Sequence, residues 1–457
     1  MPFAVVATSI FALLCIGVEG PFVSAFAVAA WVVTGTLLTI ALSQSIKPNQ
    51  ITFILLSPFC FYLLFAYVYK AVASYNPDNT VVVMIFGDGD RATSPSFGLA
   101  LTMAATGVSA SWLAIWLSRT KLAPQLEMKR HGRINEPLLY SVILVSLVVK
   151  WIASYRLGWG VPGAQISGAI PLVTGVVVIY CRFGLLLLLT ATIYHALVVK
   201  RSLLKAALAS TVTMAFVLMD LGIGSKYSLV YVVVIAALVL FQYSTTNRRP
   251  PIALYVFLFF AASSCLVLYK YVNYYRFARL RGQEMSITEM VDFAKVFAAT
   301  DEKSGSRILN RINGFEKVLL SMEYAEDIKN PAPIDVLIPG DFADNFTTSV
   351  TGSKESINAV GCTQIGFFAL FCNRIPIVFF PVMLAVQLSL IALSSASMKV
   401  LQYRETIIVT AMVLAIFIVI FQFASGALLN RGKEFAIIIL VAIVLDRYLM
   451  KNSDPCS

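Results

Sequence analysis

Arg276, Arg279 and Arg281 stand just past a hydrophobic segment, and Arg307 and Arg311 follow in the same connection. The planar fork of a guanidinium presents paired donors that fit phosphate or pyrophosphate. In Tyr274-Tyr275-Arg276-Phe277-Ala278-Arg279-Leu280-Arg281 a helix would bring Arg276 and Arg279 to neighbouring faces, with the aromatics at a membrane interface. This trio reads either as a pocket for a lipid-linked pyrophosphate or as a solvated helix end resting on anionic headgroups. Arg307 and Arg311, one helical turn apart, form either a two-pronged anion clamp or salt bridges with Glu302 and Glu316.

Further cations join this set. Lys226 lies in Gly222-Ile223-Gly224-Ser225-Lys226, a tight turn between apolar segments whose amides and following helix start can bind an anion. Arg431 and Lys433 are expected in another short connection. Arg182 differs, because Val178-Ile179-Tyr180-Cys181-Arg182-Phe183-Gly184 lies inside a long apolar segment. A cation there costs roughly 2.5–3.5 kcal/mol on insertion scales, so it must face a cavity or a partner. Asp220, near the end of its own apolar segment, is a candidate partner.

The elements that must position these residues are membrane helices. Of the 457 residues, 59% are hydrophobic and 13% charged, well below the ~25% charged of a soluble chain. Apolar stretches near 3–18, 22–42, 51–73, 97–117, 137–155, 168–198, 203–222, 227–245, 252–271, 362–394, 405–424 and 434–450 approach the ~20 residues that cross a bilayer. The first lacks a charged n-region and is followed at once by another, so it reads as a span, not a cleaved signal peptide. The segments at 168–198 and 362–394 are long enough to tilt or kink, and Pro376 predicts a break in the second. The expected fold is an all-α polytopic membrane protein with about 12 transmembrane helices. Helices 1–9 fall in 1–271, a large, partly helical periplasmic loop covers 272–358, and helices 10–12 fall in 359–457.

Orientation follows from the basic residues. Arg119, Lys121, Lys129, Arg130 and Arg133 share one connection, Lys200, Arg201 and Lys205 another, Arg248 and Arg249 a third, and Lys399 and Arg404 a fourth. With twelve spans all of these face one side, together with Lys47 and Lys451. Positive-inside bias makes that side the cytoplasm and puts both termini in it. The arginine-bearing 272–358 loop is then on the opposite face, where basic residues are normally scarce. Amphipathic helical patterns fit 286–299 and 306–328, the second with Ile308, Ile312, Phe315, Leu319 and Met322 on one face, so the loop is expected to fold as a lid.

Several function classes are disfavoured. The formal charge of +11 resides largely in short loops, which argues for membrane topology over nucleic-acid binding. The seven cysteines are scattered without metal-ligand spacing, and neither His131 nor His195 has a neighbouring ligand residue, so no metal or other cofactor is expected. Gly87-Asp88-Gly89-Asp90 is too short for a calcium loop and reads as a polar turn.

With this layout the chain resembles the bacterial O-antigen and polysaccharide repeat-unit polymerases of the Wzy type. Gly224-Ser225-Lys226 looks like the small-Ser-Arg turn of that family, with Lys in place of Arg. Arg307-Ile308-Leu309-Asn310-Arg311-Ile312-Asn313-Gly314-Phe315 resembles the start of the large-loop helix. Asn345-Phe346-Thr347-Thr348, followed by Gly361 and Gly366-Phe367-Phe368, resembles the stretch leading into the next span.

The resemblance implies a metal-independent, GT-C-like glycosyltransferase of the inner (cytoplasmic) membrane. Such an enzyme polymerises undecaprenyl-pyrophosphate-linked oligosaccharide repeat units at the periplasmic face during O-antigen and lipopolysaccharide biosynthesis. It works among membrane lipids, beside a separate chain-length regulator. The implied catalytic set is Arg276, Arg279, Arg307 and Arg311 for the departing pyrophosphate, with Glu316 or another loop acid activating the acceptor. Arg182, Lys226, Arg281, Arg431 and Lys433 would bind substrate. Alternatives are a lipid-linked oligosaccharide flippase or transporter, and an O-antigen ligase, whose large loop usually carries a histidine that this chain lacks. Mostly featureless spans, apart from Arg182, favour the enzyme over the transporter.

Overall fold

The computed structural model describes residues 95–122, 129–161, 170–223, 315–323, 330–337, 363–421 and 428–452, with single positions between 228 and 259 and Phe342 and Phe346. In chain order the elements are α1 (Pro95–Leu122), β1 (Gly132–Ile134), α2 (Glu136–Trp151), α3 (Pro171–Ile179), α4 (Leu185–Tyr194), α5 (Leu203–Gly222), α6 (Phe315–Glu323), α7 (Pro333–Leu337), α8 (Gln364–Phe371), α9 (Pro376–Lys399), α10 (Arg404–Phe421), α11 (Leu428–Val444) and β2 (Met450–Asn452). Single π-helical turns follow α2 (Ile152–Arg156), join α3 to α4 (Tyr180–Gly184), follow α4 (His195–Val199) and follow α11 (Leu445–Leu449).

Among the described residues, four helical rods are long and apolar enough to cross a membrane: Glu136–Arg156, Leu172–Val199, Leu204–Gly222 and Pro376–Lys399. Their 19 to 28 residues correspond to roughly 28–42 Å at 1.5 Å per residue, against a hydrocarbon thickness of about 30 Å. The first three match the expected spans at 137–155, 168–198 and 203–222 closely. The fourth is the later part of the expected 362–394 segment, and the break anticipated at Pro376 is present. There α8 ends at Phe371, the chain turns with Asn373 at φ 52° and Arg374 at φ 60°, and α9 begins on Pro376. A proline at the first helical position forfeits no intrahelical bond, whereas a continuous helix through it would lose one.

The chain forms two compact units. One comprises Pro124–Ser304, Ala396–Ile416 and Lys433–Ser457. Its centre is α4, all ten of whose residues are buried. Leu185-Leu186-Leu187-Leu188-Leu189 leaves no polar face to turn outward, and a helix apolar all round belongs inside. Thr190 and Thr192 satisfy their hydroxyls on the carbonyls of Leu186 and Leu188 (2.7 and 2.9 Å). Helices α2 and α5 pack against α4. The inward strip of α2 is Leu139, Ile143, Ser146, Leu147 and Lys150. Its other side leaves Leu144, Val145 and Val148 exposed, as α5 does Leu204, Leu208 and Leu218. Apolar outer faces of that extent suit a lipid surround.

One end of this unit is tied by polar bonds. Strands β1 and β2 pair antiparallel, Gly132 opposite Asn452 and Ile134 opposite Met450. The N–H groups of Gln402 and Tyr403 donate to the buried Asp446 carboxylate at 2.8 and 3.0 Å. Lys129 Nζ donates to the carbonyls of Lys399 and Leu401 at the end of α9. Glu405 accepts from the Gly132 amide and meets His131 Nδ1, both at 3.0 Å. Gly132 is required by space, since a Cβ there would lie 2.5 Å from the Tyr403 ring. The basic connections at 129–133 and 399–404, and Lys451, therefore meet at one end, as their common sidedness demands.

The other unit comprises Met1–Ala123, Gly305–Ser395 and Phe417–Gly432. In it α6 packs against α1 and α8. Val318, Leu319, Leu320, Ser321 and Met322 are all buried. Leu319 and Met322 of the expected apolar face are among them, and the rest of the 306–328 pattern lies largely outside the described residues. Phe342, Phe346, Phe367 and Phe368 cluster beside it, Phe342 meeting Phe367 edge-on at 5.2 Å between centroids.

Asp446→Ala is expected to lower the stability of the detergent-solubilised protein by roughly 2–3 kcal/mol, because the buried Tyr403 amide and the part-buried Gln402 amide lose a charged acceptor. Asp446→Asn, which keeps one acceptor oxygen, should fall between. Thermal unfolding measures this, and unchanged midpoints would show that the carboxylate does not hold the α9–α10 turn.

Candidate functional site

A lysine and an aspartate meet inside the unit built on α4. Lys150 occupies the inward strip of α2, and its Nζ bonds to Asp220 Oδ1 near the end of α5. The two side chains are only 6% and 8% exposed. Lys150 lies ~21 Å along its helix from Glu136, so the pair sits towards the opposite end of the α2 and α5 rods, with both side chains buried. The Phe216 ring, one turn before Asp220 on the same face, lies 4.6 Å from the ammonium. In such surroundings removing either charge leaves the other unsolvated.

Arg182 comes to this neighbourhood through the π-helical turn Tyr180–Gly184, closed by an i→i+5 bond from the Leu185 amide to the Tyr180 carbonyl. The extra residue in the turn swings the Arg182 side chain relative to a regular helix, and such turns often mark functional positions. Arg182 is half-buried, its Nε donating to the Tyr231 hydroxyl at 3.4 Å. Its guanidinium lies 5.1 Å from the Phe183 ring. Tyr180 hydrogen-bonds Ser146, one turn before Lys150 on α2. Gly184 gives the Tyr180 ring room to lie back along the helix, since a Cβ would come 2.5 Å from it. Three elements thus converge: α2 with Ser146 and Lys150, the π turn with Tyr180 and Arg182, and α5 with Phe216 and Asp220. Lys150 and Asp220 thus form an ion pair buried among apolar helices, with Arg182 carried by the adjoining π turn.

A second polar cluster lies at the opposite end of α2. Glu136 accepts from Lys205 Nζ with both oxygens, at 2.6 and 2.5 Å, and meets the buried His195 Nε2 at 3.0 Å. It ties the starts of α2 and α5 to the end of the α3–α4 rod. Among the described residues no group of three or more His, Cys, Asp or Glu is arranged to hold a metal ion.

Of the expected cations that fall among the described residues, Arg182 lies on the π turn adjoining this pair, and Arg431 and Lys433 lie on α11. Asp220, the candidate partner of Arg182, is bonded directly to Lys150. Lys150 itself overturns the expectation that the spans are featureless apart from Arg182. The insertion cost that marked Arg182 applies to Lys150 too, but Lys150 sits near enough to Arg156 to pass for a span end. Arg431 and Lys433 belong to the first turns of α11, not to a loop at 425–433. The run Leu428-Leu429-Asn430-Arg431-Gly432-Lys433 has no proline to stop the helix, which continues through it. Lys433 is exposed and Arg431 half-buried. Glu316 lies in the first turn of α6. Arg276, Arg279, Arg281, Arg307, Arg311 and Lys226 lie outside the described residues.

Taken together, fold and site define a mostly helical protein with helices of membrane-crossing length and an ion pair buried among them. No protein-family model, curated protein or solved structure matches the chain.

Lys150→Gln and Asp220→Asn should each destabilise the protein by about 3–5 kcal/mol, since each strands a buried charge. The double variant, which leaves a neutral pair able to hydrogen-bond, should lose less than either single one. Denaturation of the four proteins in detergent forms the cycle, and simply additive losses would show that the two residues do not interact.

Proposed function

We propose that the chain is a membrane glycosyltransferase that polymerises undecaprenyl-pyrophosphate-linked oligosaccharide repeat units at the periplasmic face of the inner membrane. The observation that carries this reading is Arg182, a half-buried guanidinium set in a π turn of a membrane-length helix and hydrogen-bonded to Tyr231. The reaction forms a bond from an acceptor hydroxyl oxygen to the anomeric carbon of the donor glycan and breaks the bond to the pyrophosphate. The departing lipid pyrophosphate gains negative charge, which fixed cations in a water-poor setting stabilise. The acceptor proton passes to a carboxylate, for which Glu316 is the candidate. Arg276, Arg279, Arg281, Arg307 and Arg311 supply further donors in the loop, and Lys226, Arg431 and Lys433 extend the basic set. A separate chain-length regulator completes the system.

A second reading draws on the same cluster. Ionisable side chains buried along membrane helices are what a flippase or transporter of lipid-linked oligosaccharide requires. Lys150, Arg182 and Asp220 supply that feature.

Purified protein supplied with undecaprenyl-pyrophosphate repeat units is expected to produce a glycan ladder in the presence of chelator. Arg182→Ala and Arg311→Ala should each reduce the ladder tenfold or more while the protein remains inserted. A chelator-sensitive ladder would sink the metal-independent mechanism. No ladder from native repeat units, with vectorial movement of the lipid in vesicles, would replace polymerisation by transport.

A further inference from the structure

We propose that the β1–β2 ribbon is a built surface for anionic phospholipid headgroups, centred on Arg133 and Lys451. The inference is independent of the glycan reading and concerns the end of the unit where the basic connections meet.

The ribbon stands where three membrane-length rods end. Arg133 is three residues before Glu136, the first residue of the rod Glu136–Arg156. At most ~10 Å of extended chain therefore separates it from the apolar region, which carries it at about the depth of a headgroup layer. Glu136 bonds Lys205 at the start of α5 and His195 near the end of the α3–α4 rod, which brings those two rods to the same level. Lys200 and Arg201, in the turn between them, are both exposed.

The strand register is the specific observation. Arg133 stands directly opposite Lys451, and both are exposed, while their neighbours Gly132, Ile134 and Met450 are buried. Strand alternation therefore puts the two cations together on the outward face. Directly opposed side chains on one face have their Cβ atoms ~5 Å apart, and like charges there disfavour the pairing. The ribbon forms because it is tied from behind. Ile134 and Met450 are buried, the Asn135 amide donates to the Leu449 carbonyl at 2.8 Å, and the Gly132 amide donates to Glu405 at 3.0 Å. A signal for membrane orientation needs basic residues on one side, but it does not need two of them face to face on a fixed ribbon. A phosphodiester accepts from a guanidinium fork and from an ammonium, so it converts the repulsion into a bridge.

The surroundings fit a lipid. Arg130 and Arg447 are exposed at the same end. Asp446 and Glu405 direct their oxygens to backbone amides of this end, of Gln402 and Tyr403 in one case and of Gly132 in the other. Tyr448, next to Arg447, is 73% exposed, and an amphipathic ring suits the boundary between headgroups and acyl chains. The apolar outer face of α2 begins at the exposed Leu138 and continues through Leu144 and Val145, so acyl chains would run directly below a headgroup held at the ribbon.

The test uses the full-length protein in nanodiscs of phosphatidylcholine alone and of phosphatidylcholine mixed with phosphatidylglycerol, at physiological ionic strength. Native mass spectrometry of the released protein reads the retained lipid, and thermal unfolding reads stability. Phosphatidylglycerol should be retained in preference to phosphatidylcholine and should raise the unfolding midpoint. Arg133→Gln/Lys451→Gln should weaken phosphatidylglycerol retention about thirtyfold. In pure phosphatidylcholine the same variant should unfold at or above the midpoint of the unsubstituted protein, because the opposed charges are gone, and in the mixed lipid it should unfold below it. Arg156→Gln/Lys433→Gln removes two exposed cations from the opposite ends of α2 and α11 and should keep the preference for phosphatidylglycerol.

Equal retention by the ribbon variant and the unsubstituted protein, or an equal loss in the Arg156→Gln/Lys433→Gln control, would overturn the proposal. Should the ribbon variant fail to fold, Lys451→Gln alone decides, with an expected loss of about fivefold, and no loss overturns it. Glycerol phosphate in solution that stabilises the protein in pure phosphatidylcholine as much as phosphatidylglycerol does would reassign the surface to a soluble phosphate and overturn the lipid assignment.

Discussion

Charge inside an apolar helical bundle has to be matched, and the unit built on α4 is arranged around that need. Lys150 and Asp220 join α2 to α5 on the flank of a central helix that has no polar face of its own. Each of the two residues is unaffordable alone and tolerable together. The crossing of α2 and α5 is consequently fixed at a point that apolar packing by itself would leave free to slide. Arg182 is carried on the adjoining π turn, with Gly184 yielding space for the Tyr180 ring.

The far end of α2 repeats the logic in a wetter setting. Glu136 gathers His195 and Lys205, so α2, the α3–α4 rod and α5 are held at that end by a carboxylate and two bases. Asp446, Lys129 and Glu405 do similar work for the connections around α9, α10 and the short β1–β2 pair. These bonds mostly satisfy helix ends and turn amides, whose cost when buried without partners would be large. Among the described residues the unit thus has a densely bonded end and, towards the other end of α2 and α5, the buried Lys150–Asp220 pair.

The sequence by itself determined the class of structure. Long apolar runs with scattered basic connections demand helices of membrane-crossing length, and three of the four described match the runs at 137–155, 168–198 and 203–222 closely. Pro376 marked a break, and the chain turns just before it through Asn373 and Arg374, whereas Pro381 lies inside α9 without ending it. The insertion cost of a cation marked Arg182 as a residue needing company, for a reason independent of its neighbours.

Only the tertiary structure decided what that company is. Asp220 lies 70 residues from Lys150 along the chain, and their pairing depends on how α2 and α5 cross α4, which no local spacing encodes. The same holds for His195, which finds Glu136 59 residues away in the sequence. Periodicity and hydropathy are properties of single segments and survive in the sequence. The choice of partner for a buried charge is a property of packing, and it becomes visible only when the helices are in place.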